Sequence, residues 1–191
     1  HLGMKLSSEY NDKVKERLEK DEKLLLSSII SYANDKNIPY IFIAGDLFDS
    51  NKVKSSLVSF VVSEFKKYNG RIFIVAGNHD FMSEDSVYAT TEFPSNTHIF
   101  TDEITFVETE DSVIYGYGFS GPHCNENRFK NFKAENKGKP GILITHTDFN
   151  TDSFYNPINV ADIEECGLQY IAAGHIHIKD DMFKKGKTFV S

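Results

Sequence analysis

The first third of the chain alternates between two spacings of hydrophobic positions. Residues 11–36 carry apolar side chains at helical spacing among Lys and Glu, which predicts a long amphipathic helix. The run IPYIFIAG at 38–45 is rich in β-branched and aromatic residues and predicts a buried strand. A second helix is predicted over 53–67, ended by Asn69-Gly70, and a second strand over 71–77. This alternation of strands and helices predicts parallel pairing in a layered α/β fold.

The pattern changes after residue 80, where shorter apolar runs follow one another. THIF, ITFVE and SVIYGYGF predict short strands joined by tight turns, and residues 128–141 form a basic segment that predicts either a helix or a loop. A strand (ILIT), a helix around 159–166, a further strand (YIAA) and a last strand at KTFVS complete the pattern. We therefore predict a single α/β domain over residues 1–191 with two kinds of sheet region.

Composition narrows the classes of function. Acidic residues outnumber basic ones by 28 to 21, giving a formal net charge of −7, which argues against binding nucleic acid through overall charge alone. Bound metal cations would make the charge positive around their own site. The two cysteines, Cys124 and Cys166, form no disulfide pattern, which favours a reducing, cytoplasmic compartment. No apolar run is long enough to span a membrane.

Polar side chains follow four of the apolar runs at the point where each predicted strand ends. They are Asp46 and Asp49, then Asn78, His79 and Asp80, then His146, and finally His175 and His177. Parallel α/β sheets collect ligands at the carboxyl ends of their strands, so these side chains are expected at one edge. Imidazole, carboxylate and amide groups together suit divalent manganese, iron or zinc.

The spacing of these residues suggests how two ions could be shared. In an extended segment His175 and His177 project to the same side, and Gly174 would let the backbone turn as it leaves the strand. A carboxylate such as Asp46 can bridge two cations about 3.5–4 Å apart, which clamp the attacking and leaving oxygens of a phosphoryl displacement. Taken singly, each residue is more often a turn or cap residue, but four strand ends of one chemical type favour a metal centre.

The motifs GDLFD, GNHD, THTD and GHIH, in that order, resemble those of the calcineurin-like metallophosphoesterase superfamily over nearly the whole chain. The opening HLG is similar to the close of the D-x-H-L-G motif of SbcD-like DNA repair exonucleases, and GDLFD and YGYGFSG favour the same subfamily. The resemblance implies a four-layer α/β/β/α sandwich, truncated at both ends. It also implies two divalent ions, with manganese preferred and iron or zinc as alternatives.

The resemblance assigns a role to each strand-end residue. It implies six metal ligands: His1, Asp46, Asn78, His146, His175 and His177. His1 and His177 would hold one ion, Asn78, His146 and His175 the other, and Asp46 would bridge both. His79 would be the catalytic histidine with Asp80 orienting it, and Asp49 would support a ligand or its loop. Lys5 is a further candidate for a substrate contact.

One element of the family pattern lies outside the chain. The Asp of the first motif is expected two residues before His1, so we predict that the chain is excised from a longer protein. Without that Asp, the first metal site would lack a carboxylate.

Three functions are compatible with the sequence. The resemblance favours a manganese-dependent DNA exonuclease in DNA repair, working with a coiled-coil ATPase of the SbcC type and forming a homodimer in the full-length protein. A phosphatase or phosphodiesterase acting on small molecules or phosphoproteins would use the same metal core, and the acidic net charge favours it. A non-catalytic scaffold is the third alternative, disfavoured because every ligand position within the chain carries a competent residue. The basic segment at 128–141 is expected to be a solvated face, with phosphate contact as the lesser alternative.

Overall fold

Two β-sheets lie face to face and give the molecule its layered architecture. The computed structural model describes residues 1–4, 11–135, 137–177 and 183–191. The first sheet has three parallel strands in the order β1-β2-β3. Its strands are β1 (Tyr40–Ala44), β2 (Arg71–Val75) and β3 (Thr97–Phe100).

The second sheet has six strands in the order β4-β5-β6-β7-β9-β8. Strands β5, β6, β7 and β9 run parallel, while β4 and β8 pair antiparallel at the two edges. Its strands are β4 (Thr105–Glu108), β5 (Val113–Tyr117), β6 (Gly141–His146), β7 (Tyr170–Gly174), β8 (Phe183–Lys185) and β9 (Thr188–Val190). The carboxyl ends of the central strands of both sheets lie at the same edge of the sandwich.

Helices cover the first sheet, and a thinner layer covers the second. The helices are α1 (Asp12–Asp35), α2 (Ser55–Lys66), α3 (Val87–Thr90) and α4 (Val160–Ile163). Leu26 and Ile30 of α1 and Phe65 of α2 are buried against the outer face of the first sheet. On the far face of the second sheet, Phe129 and Ile163 pack from a loop and from α4.

Strand β2 explains why the sequence shows an unbroken apolar run there. Ile72 and Ile74 face the helices, whereas Phe73 and Val75 face the second sheet, and all four are fully buried. A strand with both faces covered has no polar positions, which is the pattern of buried parallel strands. Alternate side chains of one strand thus join two separate cores.

Most of the predicted elements are confirmed, and the differences have physical causes. The four-layer arrangement and the parallel pairing are confirmed, and α1 begins after Asn11, whose Oδ1 accepts a hydrogen bond from Val14 N at 3.0 Å. The helix predicted around 159–166 is only Val160–Ile163, and residues 164–166 form a turn that leads to Gly167 at φ +80°. Helix α3 and strand β8 were not predicted, since four-residue and three-residue elements carry too little periodicity.

The basic segment at 128–141 forms turns and loop, so its helical alternative is wrong within the described residues. Its cations are engaged by acidic neighbours: Lys133 Nζ lies 3.2 Å from Glu165 Oε2, and Lys139 Nζ lies 3.0 Å from Glu108 Oε1. This agrees with a solvated face. Among the helices of the described ranges, none combines the length and apolar surface that crossing a membrane requires.

Replacing Phe73 by alanine should test the core between the sheets. The buried Phe73 ring packs on Phe42 and Phe100, with ring centroids 6.1 and 6.3 Å away. We expect Phe73→Ala to lower the free energy of unfolding by about 3–5 kcal/mol in urea denaturation. Phe154→Ala is the control, because that side chain is 62% exposed. Equal effects of the two substitutions would contradict this account of the core.

Candidate metal centre

The ends of four strands, two from each sheet, converge on one edge of the sandwich. The contact that joins them is between His146, at the end of β6, and Ala44, at the end of β1: His146 Nδ1 lies 2.8 Å from Ala44 O. Because a carbonyl oxygen only accepts, Nδ1 carries the proton and donates it. In the neutral form of the ring, the other nitrogen, Nε2, is a lone pair that faces into the site.

Asp46 lies at the centre of the converging side chains and is buried. Its Oδ1 accepts the backbone N–H of His79 at 3.0 Å. Its Oδ2 lies 3.3 Å from His146 Nε2 and 3.4 Å from His1 Nε2. One carboxylate oxygen is therefore held by the backbone, while the other lies between two imidazoles.

Around His146, lone pairs face one another. Its Nε2 lies 3.0 Å from Asn78 Oδ1 and 3.2 Å from His175 Nδ1, in addition to Asp46 Oδ2. In the neutral form of the ring, with Nδ1 as the donor to Ala44, Nε2 has no proton to offer the two oxygens. A cation among these atoms would satisfy all of them, and the mixed N/O set suits manganese, iron or zinc.

A second group forms around His1. Ligand atoms of His1, Asp46 and His177 all lie within 4.8 Å of one another. His1 Nε2 is buried and has no hydrogen-bond partner among the described residues, a costly arrangement for a polar atom unless a cation binds there. The two groups share Asp46. The residues present therefore fit two divalent ions, with Asp46 as the common ligand.

Electrostatics favour the ligand forms of two of these groups. Burial raises the pKa of the Asp46 carboxyl, but the hydrogen bond and charge that His146 supplies when its ring is protonated, together with the N–H of His79, outweigh burial, so the net pKa lies below its ordinary value. Burial and the neighbouring His146 lower the pKa of His175. An ionised carboxylate and a neutral imidazole are the forms that bind metal.

Asp49 and His79 lie beside the second group, the one around His1. Asp49 Oδ1 is 3.2 Å from His1 Nδ1, a position from which it can hold that ring, as predicted for a supporting residue. His79 is exposed, and its Nδ1 lies 3.2 Å from the backbone oxygen of Asp49. The His79 and His1 rings stand edge to face, 4.7 Å apart. Lys5 lies outside the described residues.

The structure corrects the prediction that Asp80 orients His79. Asp80 is fully buried beneath the site, where its carboxylate accepts hydrogen bonds from four donors. These are Gly77 N at 2.7 Å, Asp46 N at 3.2 Å, Phe48 N at 3.0 Å and Tyr88 Oη at 2.6 Å. Asp80 therefore ties the two strand-end loops together, and the contact that orients His79 comes from the Asp49 carbonyl instead.

The glycine before the last pair of histidines also has a different role from the one predicted. The backbone of Gly174 does not adopt positive φ; His175 does, at φ 99°. A Cβ on Gly174 would lie 1.9 Å from Ala44 O and 3.0 Å from His146 Nδ1. Gly174 is therefore needed for the close approach of β7 to β1, and the unusual backbone conformation falls on His175.

Sequence reasoning found the strand-end residues but missed the groups behind them. Tyr88, which binds Asp80, lies in a four-residue helix, and Asn156, which donates to the backbone of His146, lies in an irregular loop. Neither stands in a motif or a periodic pattern, so the sequence carried no signal for them.

Gly174→Ala should disturb the metal centre more than a substitution with free space around it. The added methyl must push the ends of β1 and β7 apart, so we expect a loss of about 1–3 kcal/mol in the free energy of unfolding. Weaker manganese binding should accompany it in a calorimetric titration. Gly121→Ala is the matched control, since the nearest atom to its Cβ would be His123 O at 3.9 Å. Wild-type behaviour of Gly174→Ala would show that the strand ends are not in close contact.

Comparison with known proteins agrees with this geometry. The family model described as calcineurin-like phosphoesterase matches residues 17–179. The chain is also 25% identical over 161 residues to a Bacillus subtilis (strain 168) protein named uncharacterized metallophosphoesterase YhaO. That alignment covers 78% of this chain and 39% of the relative, so the chain spans less than half of the relative's length.

Proposed function

Because the chain belongs to the calcineurin-like phosphoesterase family, we propose that it is the catalytic part of a DNA exonuclease. Membership itself implies metal-dependent hydrolysis of phosphate esters, which makes the chain a hydrolase. Members of the family hold two divalent ions. The observation that carries the metal-dependent hydrolase part of the proposal is Asp46, which lies within 3.4 Å of an imidazole nitrogen from each of the two ligand groups.

The proposed division of ligands follows these two groups. His1 and His177 would hold one ion and Asn78, His146 and His175 the other, with Asp46 contributing to both. When bound, the ions supply Lewis-acid polarisation of the phosphate and a nucleophile at neutral pH. Manganese is the proposed metal, and iron and zinc suit the same donor set.

His79 is proposed as the group that assists the leaving oxygen. Its backbone N–H is anchored to Asp46, and its ring Nδ1 is held by the Asp49 carbonyl. With Nδ1 as the donor to that carbonyl, Nε2 remains free to carry and deliver a proton to the departing oxygen. The ring is exposed and can reach a substrate, and one of its nitrogens also lies within 4.8 Å of ligand atoms of His1 and Asp49.

DNA is preferred as the substrate because HLG, GDLFD and YGYGFSG are similar to motifs of SbcD-like exonucleases. The same resemblance suggests an SbcC-type ATPase partner and a homodimer of the full-length protein. Free Cys124 and Cys166 are consistent with work in the cytoplasm.

A phosphatase or phosphodiesterase acting on small molecules or phosphoproteins is the second candidate. The net charge of −7 favours it, as do the ion pairs that engage Lys137 and Lys139 with Glu108, because they reduce the cationic surface available to a DNA backbone. The retained ligand set disfavours a non-catalytic scaffold.

A nuclease assay separates the two candidates. With manganese and end-labelled double-stranded DNA, we expect progressive shortening of the labelled strand, lost in His79→Ala. A chromogenic phosphodiester runs in parallel. Turnover of the small ester with intact DNA would contradict the exonuclease proposal and favour the second candidate.

Two variants test the roles within the centre. We expect Asp46→Ala to lower the affinity for both ions, because both ligand groups share its carboxylate. We expect His79→Ala to keep both ions while turnover falls by about 10²–10⁴-fold. Manganese stoichiometry from calorimetry, measured beside the rate, checks both expectations. Loss of an ion in His79→Ala would show that His79 is a ligand.

A further inference from the structure

The loop that follows β6 turns back behind one of the ligand histidines, and Asn156 lies at that point. Asn156 is fully buried and has a positive φ of 54°. Its N–H donates to Cys124 O at 2.6 Å, and its carbonyl accepts from Thr147 Oγ1 at 2.6 Å. The backbone of Asn156 is therefore held on both sides, in a conformation that asparagine tolerates better than most residues.

The Asn156 side chain binds the end of β6 directly. Its Nδ2 donates to His146 O at 3.0 Å and to Thr145 Oγ1 at 3.2 Å. The imidazole of His146 faces Asp46 and Asn78 on the other side of the same backbone. The amide thus fixes the main chain from which this ligand projects.

The neighbouring residue of the loop contacts the other histidine of the same group. The Tyr155 ring packs against the His175 ring, with centroids 4.5 Å apart and planes inclined by 36°. A single loop therefore supports both His146 and His175. In the described part of the chain, the hydrogen bonds of Asn156 go to Cys124, Thr145, His146 and Thr147, so its support reaches only this side of the metal centre.

Asparagine at this position carries a cost that its two donated bonds offset. Its Oδ1 is buried without a hydrogen-bond partner among the described residues. A buried unpaired acceptor costs about 1–3 kcal/mol. Aspartate would tolerate the backbone conformation but would place a carboxylate oxygen against the His146 carbonyl. Glycine would tolerate it but would donate no side-chain bond.

We propose that Asn156 is a positioning residue for the ion held by Asn78, His146 and His175, acting by fixing the backbone of His146 through its amide. The inference rests on the metal centre of the proposed function, and it concerns the affinity of one ion rather than the choice of substrate. Groups that orient metal ligands change metal affinity by about 10–100-fold when removed.

The test is a manganese titration of Asn156→Gly in the full-length protein, by calorimetry and by the paramagnetic resonance signal of Mn²⁺. We expect one ion to bind about 10–100-fold more weakly while the other is unchanged. The weakened ion should be the one that His175→Ala also weakens. Asn156→Asp serves as a second variant of nearly the same shape and should act in the same direction.

Asn96→Gly is the matched control for a purely structural effect. Asn96 Nδ2 likewise holds the main chain through its amide: it donates to the backbone carbonyls of Phe65 and Tyr68, each at 3.0 Å, and of Gly70 at 3.4 Å, but beneath α2 and away from the strand ends. We expect it to lower the melting temperature without changing the affinity of either ion. That contrast separates positioning of a ligand from general stability.

Two results would overturn the inference, and they differ from each other. If Asn156→Gly and Asn156→Asp bind both ions as the wild type does, or weaken both equally, Asn156 has only a structural role and the proposed function stands. If the wild-type protein itself does not bind two ions, the metal centre and the proposed function fail together with the inference.

Discussion

The close approach of the two sheets at Ala44 is the contact on which the metal centre depends. Ala44 O accepts a hydrogen bond from His146 Nδ1 at 2.8 Å, and it leaves no room for a side chain on Gly174. This one carbonyl sets the tautomer of a ligand, draws β6 and β7 against β1, and aims His146 Nε2 at Asp46. The packed rings of the inner core determine how the sheets face each other, and this contact determines where their ends meet.

Behind that contact, the loops of the site are held by buried polar groups rather than by regular secondary structure. Asp80 accepts three hydrogen bonds from the loops that follow β1 and β2 and a fourth from Tyr88 of α3. Burial raises the pKa of Asp80, and the hydrogen bonds of Tyr88, Phe48 and Gly77 oppose that rise. In the second sheet, the end of β6 is held by Asn156, which lies in the loop that follows this strand. The candidate ligands therefore lie on loops whose conformation is fixed by buried polar side chains beneath the site.

The sequence predicted well which polar residues lie together at the strand ends. It predicted poorly the roles that depend on the direction in which a side chain points. Buried strands such as β2 can be recognised as unbroken apolar runs because both of their faces are covered. Since these strands are parallel, the residues that follow them lie at the same edge of the sheet. The motif GNHD does not reveal that the His79 side chain points outward and that of Asp80 inward, so the role of Asp80 was misassigned. Asn156 acts through irregular backbone, for which periodicity offers no signal. The role of Gly174 required knowing that a strand from the other sheet ends beside it.

Charge connects this architecture to its chemistry. The chain is acidic overall, and the centre adds the ionised Asp46 to that charge, with Asp49 beside it, so the cleft without cations would repel a phosphate ester. Divalent ions at the two ligand groups would reverse the sign at the point where the phosphate must bind. Metal loading is then a condition for substrate binding as well as for chemistry. Glu108 and Glu165 pair with Lys133, Lys137 and Lys139 of the basic segment, which reduces the cationic surface that this segment offers a phosphate. The charge of bound ions at the strand ends would then matter more for holding a phosphate than these lysines.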